Sequence, residues 1–399
     1  MTGKDIVMFS LQSWDMDIGG NFKDIAKVIA LKNRVIYVNR PLDVITRIQD
    51  RKSVQTQARL RSIRGVENSV TEVEKNLWVL NIPELLYSIN FLPKGFFYTW
   101  LNKKNNRMVA KRIRDAMKKL EFKNEVLLID NDFFNGRYLK EYLNPEVFIY
   151  YLRDYLRFHK YFQKHGSRAE PEIISKADAV ITDSVYLDNY ARQYNRRCFY
   201  IPKGCSDEFR KLDHSEPDDL KEIPHPRVGY LGALTSKRID VDLLEKIAKA
   251  LPEYNFVFIG PEDEVFKKSV LHQMSNVFFP GFKEQSLAPA YIQHFDVCTN
   301  IQVINETTIG NHPRKILEYL SAGKPVVATK TDAMMEYENL VFLCDTESGY
   351  IDGIKCAVAE SGDERKREAR ILRGNEYTWE ATTEKFYKVI EGVYENKKS

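Results

Sequence analysis

The chain has 399 residues, 43% of them hydrophobic and 29% charged. That is too long for one ordinary domain, and the balance is globular rather than disordered or fibrous. Apolar runs such as VFIYYL and PVVA fall far short of the roughly 20 residues that cross a bilayer, and MTGKDIVMFS at the N-terminus lacks a signal-peptide layout. The formal net charge of +4 hides an asymmetry: residues 1–200 hold 34 Lys and Arg against 23 Asp and Glu, the remainder 26 against 33. A basic first half predicts contact with an anionic surface or a phosphorylated substrate.

In chain order, short apolar runs recur, each closing on a turn or polar residue. DIVMFS, RVIYVN, LWVLNI, EVLLID, VFIYYL, DAVITDS and RCFYIP come first, then RVGYLG, NFVFIG, NVFFPG, FDVCTN, KPVVAT and LVFLCD. Near-continuous hydrophobic strands alternating with helix-period segments such as NFKDIAKVIALK and DVDLLEKIAKALPE predict parallel sheets covered on both faces. Two such sets predict an α/β protein of two doubly wound domains, with the break inside KGCSDEFRKLDHSEPDDLKEIPHPR. Ligands of open parallel sheets bind beyond the carboxyl ends of the strands, so the loops there are the ones to inspect. Cys198, Cys205, Cys298, Cys344 and Cys356 are odd in number with no CxxC pair. Buried free thiols in a reducing cytoplasm are expected, not disulfides or a zinc site.

The segment NHPRKILEYLSAGKPVVATK reads as a short helix between a polar loop and a buried strand. Arg314 and Lys315 stand at its start and Glu318 one turn in. Cations at the partially positive end of a helix are unfavourable, and a base four residues before an acid is the weaker orientation of an ion pair. A diphosphate docked on the free amides of that end would reverse the balance. Each charge-assisted hydrogen bond contributes ~1.5–3 kcal/mol, against a few tenths lost to the dipole. Glu318 would then accept from ribose hydroxyls. The competing reading is an ordinary Arg314–Glu318 surface ion pair.

These residues resemble a family. HPRKILEYLSAGKPVV, with GYLGALTSKRIDVDLLEKIAKALPEYNFVFIGP and NVFFPGFKEQSLAPAYIQHFDV before it, is similar to the donor domain of retaining family-four glycosyltransferases of GT-B fold. The branch it looks most like includes the teichuronic acid biosynthesis glycosyltransferases. The resemblance implies two Rossmann-like domains facing across a cleft. Residues 1–205 would bind acceptor, residues 206–379 would bind donor, and a terminal helix at 380–399 would cross back onto the first domain. It implies that Gly232 lets backbone approach the donor diphosphate, that Arg238 or Lys237 joins Lys315 and Arg314 in neutralising it, and that Glu318 holds the ribose. Gly260–Pro261 and Gly281–Phe282 would line the nucleobase, and Thr308 and Asn311 the transferred sugar. The family often carries a further glutamate eight positions before Glu318, where this chain has Gly310. The loop holding Trp14, Asp15, Asp17, Gly19 and Gly20 resembles the glycine-containing loop that faces donor and acceptor.

Asp15–Asp17, Asp130–Asp132 and Asp240–Asp242 form Asp-x-Asp triplets. No metal is expected at them, because fixed cations and helix amides can carry the charge of a departing diphosphate. Asp130 and Asp132 close a strand where acceptor or sugar would lie. Asp154, with Arg153 beside it, is a candidate for acceptor binding or catalysis, and Arg153 would pair with Asp154 or take an acceptor phosphate. No cofactor is required. The donor is expected to be a UDP-sugar in preference to a GDP-sugar, and the acceptor a glycan or lipid-linked saccharide of cell-surface polysaccharide biosynthesis. Residues 85–120 set Phe96, Phe97, Tyr98 and Trp100 beside Lys103, Lys104, Arg107, Lys111 and Arg112. That mix suits the inner face of an anionic membrane as well as a packed segment with a solvated basic helix, and no nucleic-acid motif accompanies it. The alternatives are a nucleotide-sugar epimerase on the same architecture and a catalytically idle glycan-binding or scaffold protein.

Overall fold

The computed structural model describes residues 1–16, 20–158, 160–211, 213–305, 308 and 313–398. Two compact units divide the chain: Met1–Pro202 together with Thr382–Ser399, and Lys203–Ala381.

The first unit is built on β1 (Asp5–Ser10), β2 (Arg34–Val38), β3 (Val70–Glu74), β4 (Leu77–Leu80), β5 (Val126–Asp130), β6 (Val147–Leu152), β7 (Ala179–Thr182) and β8 (Cys198–Tyr200). Their order in the sheet is β3-β4-β2-β1-β5-β6-β7-β8, parallel except for the β3–β4 pair. The second unit carries β9 (Arg227–Leu231), β10 (Asn255–Ile259), β11 (Val277–Gly281), β12 (Val297–Asn300), β13 (Val326–Thr329) and β14 (Val341–Cys344). Their order is β11-β10-β9-β12-β13-β14, all parallel.

Each apolar run forms a strand because its alternate side chains find a core on opposite faces. In β10, Val257 and Ile259 join one core with Cys298, Val326 and Ala328, while Phe256 and Phe258 join the other with Val228, Val297 and Val327. NFKDIAKVIALK forms the helix Asn21–Ala30, burying Phe22, Ile25, Ala26 and Ile29. DVDLLEKIAKALPE forms Val241–Ala250, with Asp240 accepting from the Leu243 amide as its cap. β3 escapes the sequence reading because VTEVE lies at the sheet edge, largely exposed, and so carries no continuous apolar signal. The buried-thiol expectation holds for Cys198, Cys205, Cys298 and Cys344 and is corrected at Cys356, which is exposed on a helix face. The terminal helix Trp379–Lys398 enters the first unit from Thr382 on. There Phe386 packs edge-on to Tyr151 and Tyr387 accepts from the Asn33 amide.

Strand order reverses between β1 and β5 in the first sheet and between β9 and β12 in the second. Such switch points open a crevice beyond the carboxyl ends of the two strands. Among the described candidates, Gly20 and Asp130 follow or close β1 and β5, and Gly232 follows β9.

Candidate functional site

In the second unit, Gly232, Gly260 and Gly281 end three adjacent strands. A Cβ on Gly260 would lie 2.0 Å from the Gly232 carbonyl oxygen, and one on Gly232 would lie 2.8 Å from Lys315 Nζ. Both glycines have φ +148°, a region that side chains rarely adopt. The Gly232 amide donates to Ile259 O at 2.8 Å and the Gly260 amide to Gly281 O at 3.1 Å. The result is a bare backbone ledge with Lys315 against it.

The helix Arg314–Ser321 faces this ledge. Pro313 precedes it as the N-cap and makes no side-chain cap hydrogen bond of its own. Tyr319, fully buried, accepts from the Leu231 amide at 3.3 Å and fixes the helix to the end of β9. Lys315 Nζ sits 3.7 Å from the centroid of the Tyr230 ring. Arg314 Nε donates to Glu318 Oε1 at 2.8 Å, and the Glu318 side chain is 11% exposed. The ion pair therefore forms, but with its acid buried rather than on an ordinary surface. The unfavourable helix polarity is offset locally: Glu318 answers Arg314, and a π face answers Lys315.

Other residues implicated by the resemblance lie around this centre. Lys237 and Arg238 are exposed on the turn before the helix Val241–Ala250. The Arg238 carbonyl accepts from the Val303 amide, and the Lys237 carbonyl from the Asn305 side chain at 2.9 Å. Pro261 is exposed, and Phe282 is 68% exposed beyond β11. Thr308 is buried, its hydroxyl donating to Val303 O and accepting from the Asn305 amide, so it shapes its own loop. Asn311, Asp17 and Gly19, and with them Gly310, lie outside the described residues.

In the first unit, β1 and β5 end side by side. Ser10 Oγ donates to Asp130 Oδ2 at 2.9 Å, Arg153 Nε donates to Asp130 Oδ1 at 2.6 Å, and Arg153 reaches Asp154 at 3.2 Å. Asp130 is wholly buried, whereas Asp154 is exposed. Burial pushes the Asp130 carboxyl up, against the pull of Arg153 and the Ser10 hydrogen bond. Asn131, in left-handed backbone at φ 54°, accepts from the amides of Arg153 and Asp154 and donates to the Asp154 carbonyl. Asp132 is committed to its own turn, accepting from the amides of Phe134 and Asn135. Asp15 is gripped by Arg59. Burial raises its pKa, and the Arg59 hydrogen bond and charge more than reverse this, leaving it below the ordinary carboxylate range. Trp14 stands edge-on to Tyr37, with Lys23 Nζ 4.9 Å from its ring. Gly20 is buried against Gln12 at the start of the helix Asn21–Ala30. Among the described residues, no group of three His, Cys, Asp or Glu side chains converges as a metal site would require.

Sequence reasoning missed Tyr230, Tyr319, Ser10, Asn131 and Arg59. Tyr230 had a signal: it stands two positions before Gly232 in an extended run, on the same face. Arg59 had none, because its partner is 44 residues away in the chain.

Residues 225–359 match the model of the family described as Glycosyl transferases group 1. The chain is 25% identical over 218 residues to TuaH of Bacillus subtilis (strain 168), a protein assigned to teichuronic acid biosynthesis as a glycosyltransferase. That alignment takes in 51% of this chain and 54% of TuaH, so the chain spans about half the length of the curated relative it matches. Among solved structures, HepE from Anabaena with UDP superposes over 97% of this chain and 100% of its own, at TM-score 0.64 and 15% identity. Sucrose-phosphate synthase from Thermosynechococcus elongatus does so over 98% and 100%, at TM-score 0.69 and 14% identity. Residues 225–359 are therefore a group 1 glycosyl transferase domain, carried by a chain of GT-B fold.

Proposed function

We propose that this protein transfers a glycosyl group from a nucleoside diphosphate sugar, in preference a UDP-sugar, to a glycan or lipid-linked acceptor, with retention at the anomeric carbon. The second unit takes the donor and the first the acceptor. The single observation that carries this reading is the meeting of Lys315 with the bare Gly232 backbone at a helix start, within reach of a buried carboxylate.

As the glycosyl bond to the donor breaks, negative charge gathers on the diphosphate. Lys315 would meet that charge from the helix start, and Arg238 and Lys237 would supply further cations from the neighbouring turn. Glu318 gives Oε1 to Arg314 and has Oε2 left for a ribose hydroxyl. The UDP preference is supported by neighbours of the same fold that were solved with UDP or UDP-glucose. Retention rests on the resemblance to family four, and a cell-surface glycan as product on the similarity to TuaH. In the first unit, the Asp130–Arg153–Asp154 group is the acceptor-side candidate, with Asp154 as its exposed carboxylate.

Thermal-shift and calorimetric titrations with UDP, GDP, ADP and dTDP, followed by kinetics, test the assignment. Lys315→Ala should lower kcat by 10²–10³, the cost of one lost charge-stabilising donor of ~3–4 kcal/mol, with little change in nucleotide Kd. Glu318→Ala should chiefly weaken nucleotide binding. Wild-type affinity and turnover in both variants would remove the site.

A further inference from the structure

The helix Phe96–Lys119 carries eight basic residues and one acidic residue. Its exposed positions do not scatter. Phe96, Trp100, Lys103, Arg107, Lys111, Arg114 and Lys118 are all exposed, and their spacing of three and four keeps them on a single face. At 1.5 Å per residue that stripe is about 33 Å long. Its first turn is aromatic and its remaining turns are cationic. The opposite face buries Tyr98, Asn102, Asn105, Val109, Ala110, Ile113 and Ala116 in the first unit, which fixes the stripe outward.

The aromatic end is unusual in its exposure. Phe96 is 85% exposed, Phe91 65%, Phe97 58% and Trp100 48%. Phe97 and Trp100 stack on each other with ring centroids 5.9 Å apart. Lys104 reaches across to the Tyr87 hydroxyl at 2.9 Å and stands 5.7 Å from the Trp100 ring. Large apolar side chains left together in water mark an interaction site. Phenylalanine has no polar atom to satisfy, so it asks for a nonpolar medium. The adjoining rail of cations asks for a dense array of negative charge. One partner offers both in one plane.

We propose that this face docks on an anionic lipid bilayer, with Phe96, Phe97 and Trp100 seated at the headgroup–acyl boundary and Lys103, Arg107 and Lys111 on lipid phosphates. An amphipathic helix lying in the interface plane has this composition, cations on one part and Trp or Phe on another. The contact is peripheral, since no helix among the described residues is long and apolar enough to span a membrane. The mutual stacking of Phe97 and Trp100 occupies ring faces that a nucleic acid base would need, which favours lipid over a single-stranded polyanion.

Cosedimentation of the full chain with vesicles tests this, using phosphatidylcholine alone and phosphatidylcholine mixed with phosphatidylglycerol. Binding is expected only to the mixed vesicles, falling as salt rises. Each removed cation should weaken it about fivefold, so Lys103→Gln/Arg107→Gln/Lys111→Gln should lose more than tenfold. Phe96→Ser/Phe97→Ser/Trp100→Ser should lose binding while keeping all its charge, and the wild-type Trp emission should shift to the blue on binding in a way that Trp100→Phe abolishes. Circular dichroism confirms that each variant is folded. Absence of wild-type binding, or binding that the aromatic variant retains in full, overturns the proposal. So does sedimentation showing that the aromatic face is covered by a second copy, or equal binding of a single-stranded nucleic acid.

Discussion

Lys315 places its ammonium 3.7 Å from the centroid of the Tyr230 ring, so the cation at the helix start is held by a π face rather than by a carboxylate. A carboxylate partner would have to be displaced before the lysine could serve a phosphate, whereas a ring holds the charge and leaves it open to a second anion. Cation–π contacts are worth ~0.5–2 kcal/mol depending on desolvation. Tyr230→Leu should therefore lower kcat by roughly threefold to thirtyfold with little change in nucleotide Kd, and Tyr230→Phe should leave both near the wild-type value. Steady-state kinetics and calorimetry on the two variants separate the ring from the hydroxyl.

The glycine ledge predicts two different failures. Alanine at Gly260 drives its Cβ into the Gly232 carbonyl, a backbone atom that cannot step aside. Steric overlap and φ strain together should cost about 3 kcal/mol or more, read as a fall in the denaturation midpoint. Alanine at Gly232 meets the flexible end of Lys315 and, at 3.3 Å, the Tyr230 hydroxyl, both side-chain atoms. It should cost less stability, about 1–3 kcal/mol for the φ, but should lower kcat by moving the lysine.

Asp130 and Arg153 form a pair in which the acid is fully buried. Removing one partner of such a pair usually costs ~3–5 kcal/mol. Because Arg153 keeps Asp154, Asp130→Asn should fall near the lower end, and Ser10→Ala should cost about 1 kcal/mol for its single hydrogen bond. Nucleotide affinity should be unchanged in both, since the donor site proposed above lies in the other unit. Loss of UDP binding in Asp130→Asn would reject that separation.

Glu170 lies at 0% exposure inside the first unit. Burial raises its pKa from 4.5 to about 7, against the Tyr190 hydrogen bond and the Arg157 charge. Tyr190 donates at 2.9 Å, Arg157 approaches to 3.5 Å, and the buried Tyr150 phenol is the other titratable neighbour. The folded protein holds this proton more tightly than the unfolded chain does. Stability should thus fall as pH rises from 4.5 to about 7 and level off above. The span is on the order of 3 kcal/mol. Glu170→Gln should flatten that slope in a comparison of denaturation midpoints across the range.

The amino-acid sequence by itself determined most of the architecture. Runs such as NFVFIG and KPVVAT are apolar on both faces, and only a sheet covered on both sides satisfies them, so nearly every strand was legible one segment at a time. The edge strand Val70–Glu74 was not, because a largely exposed strand carries no such pattern. The helix start at Arg314 was legible as well, since its charges contradict the helix dipole and that conflict is local. What only the tertiary structure decided is which groups answer those charges. Tyr230 under Lys315, Tyr319 on the Leu231 amide, Ser10 and Arg153 on Asp130, and Arg59 on Asp15 are pairings between segments distant in the chain. Local periodicity reports which face of a strand or helix is buried. It carries no information about which distant side chain will stand opposite, because strand order and register set that, and both are settled only when the sheets assemble.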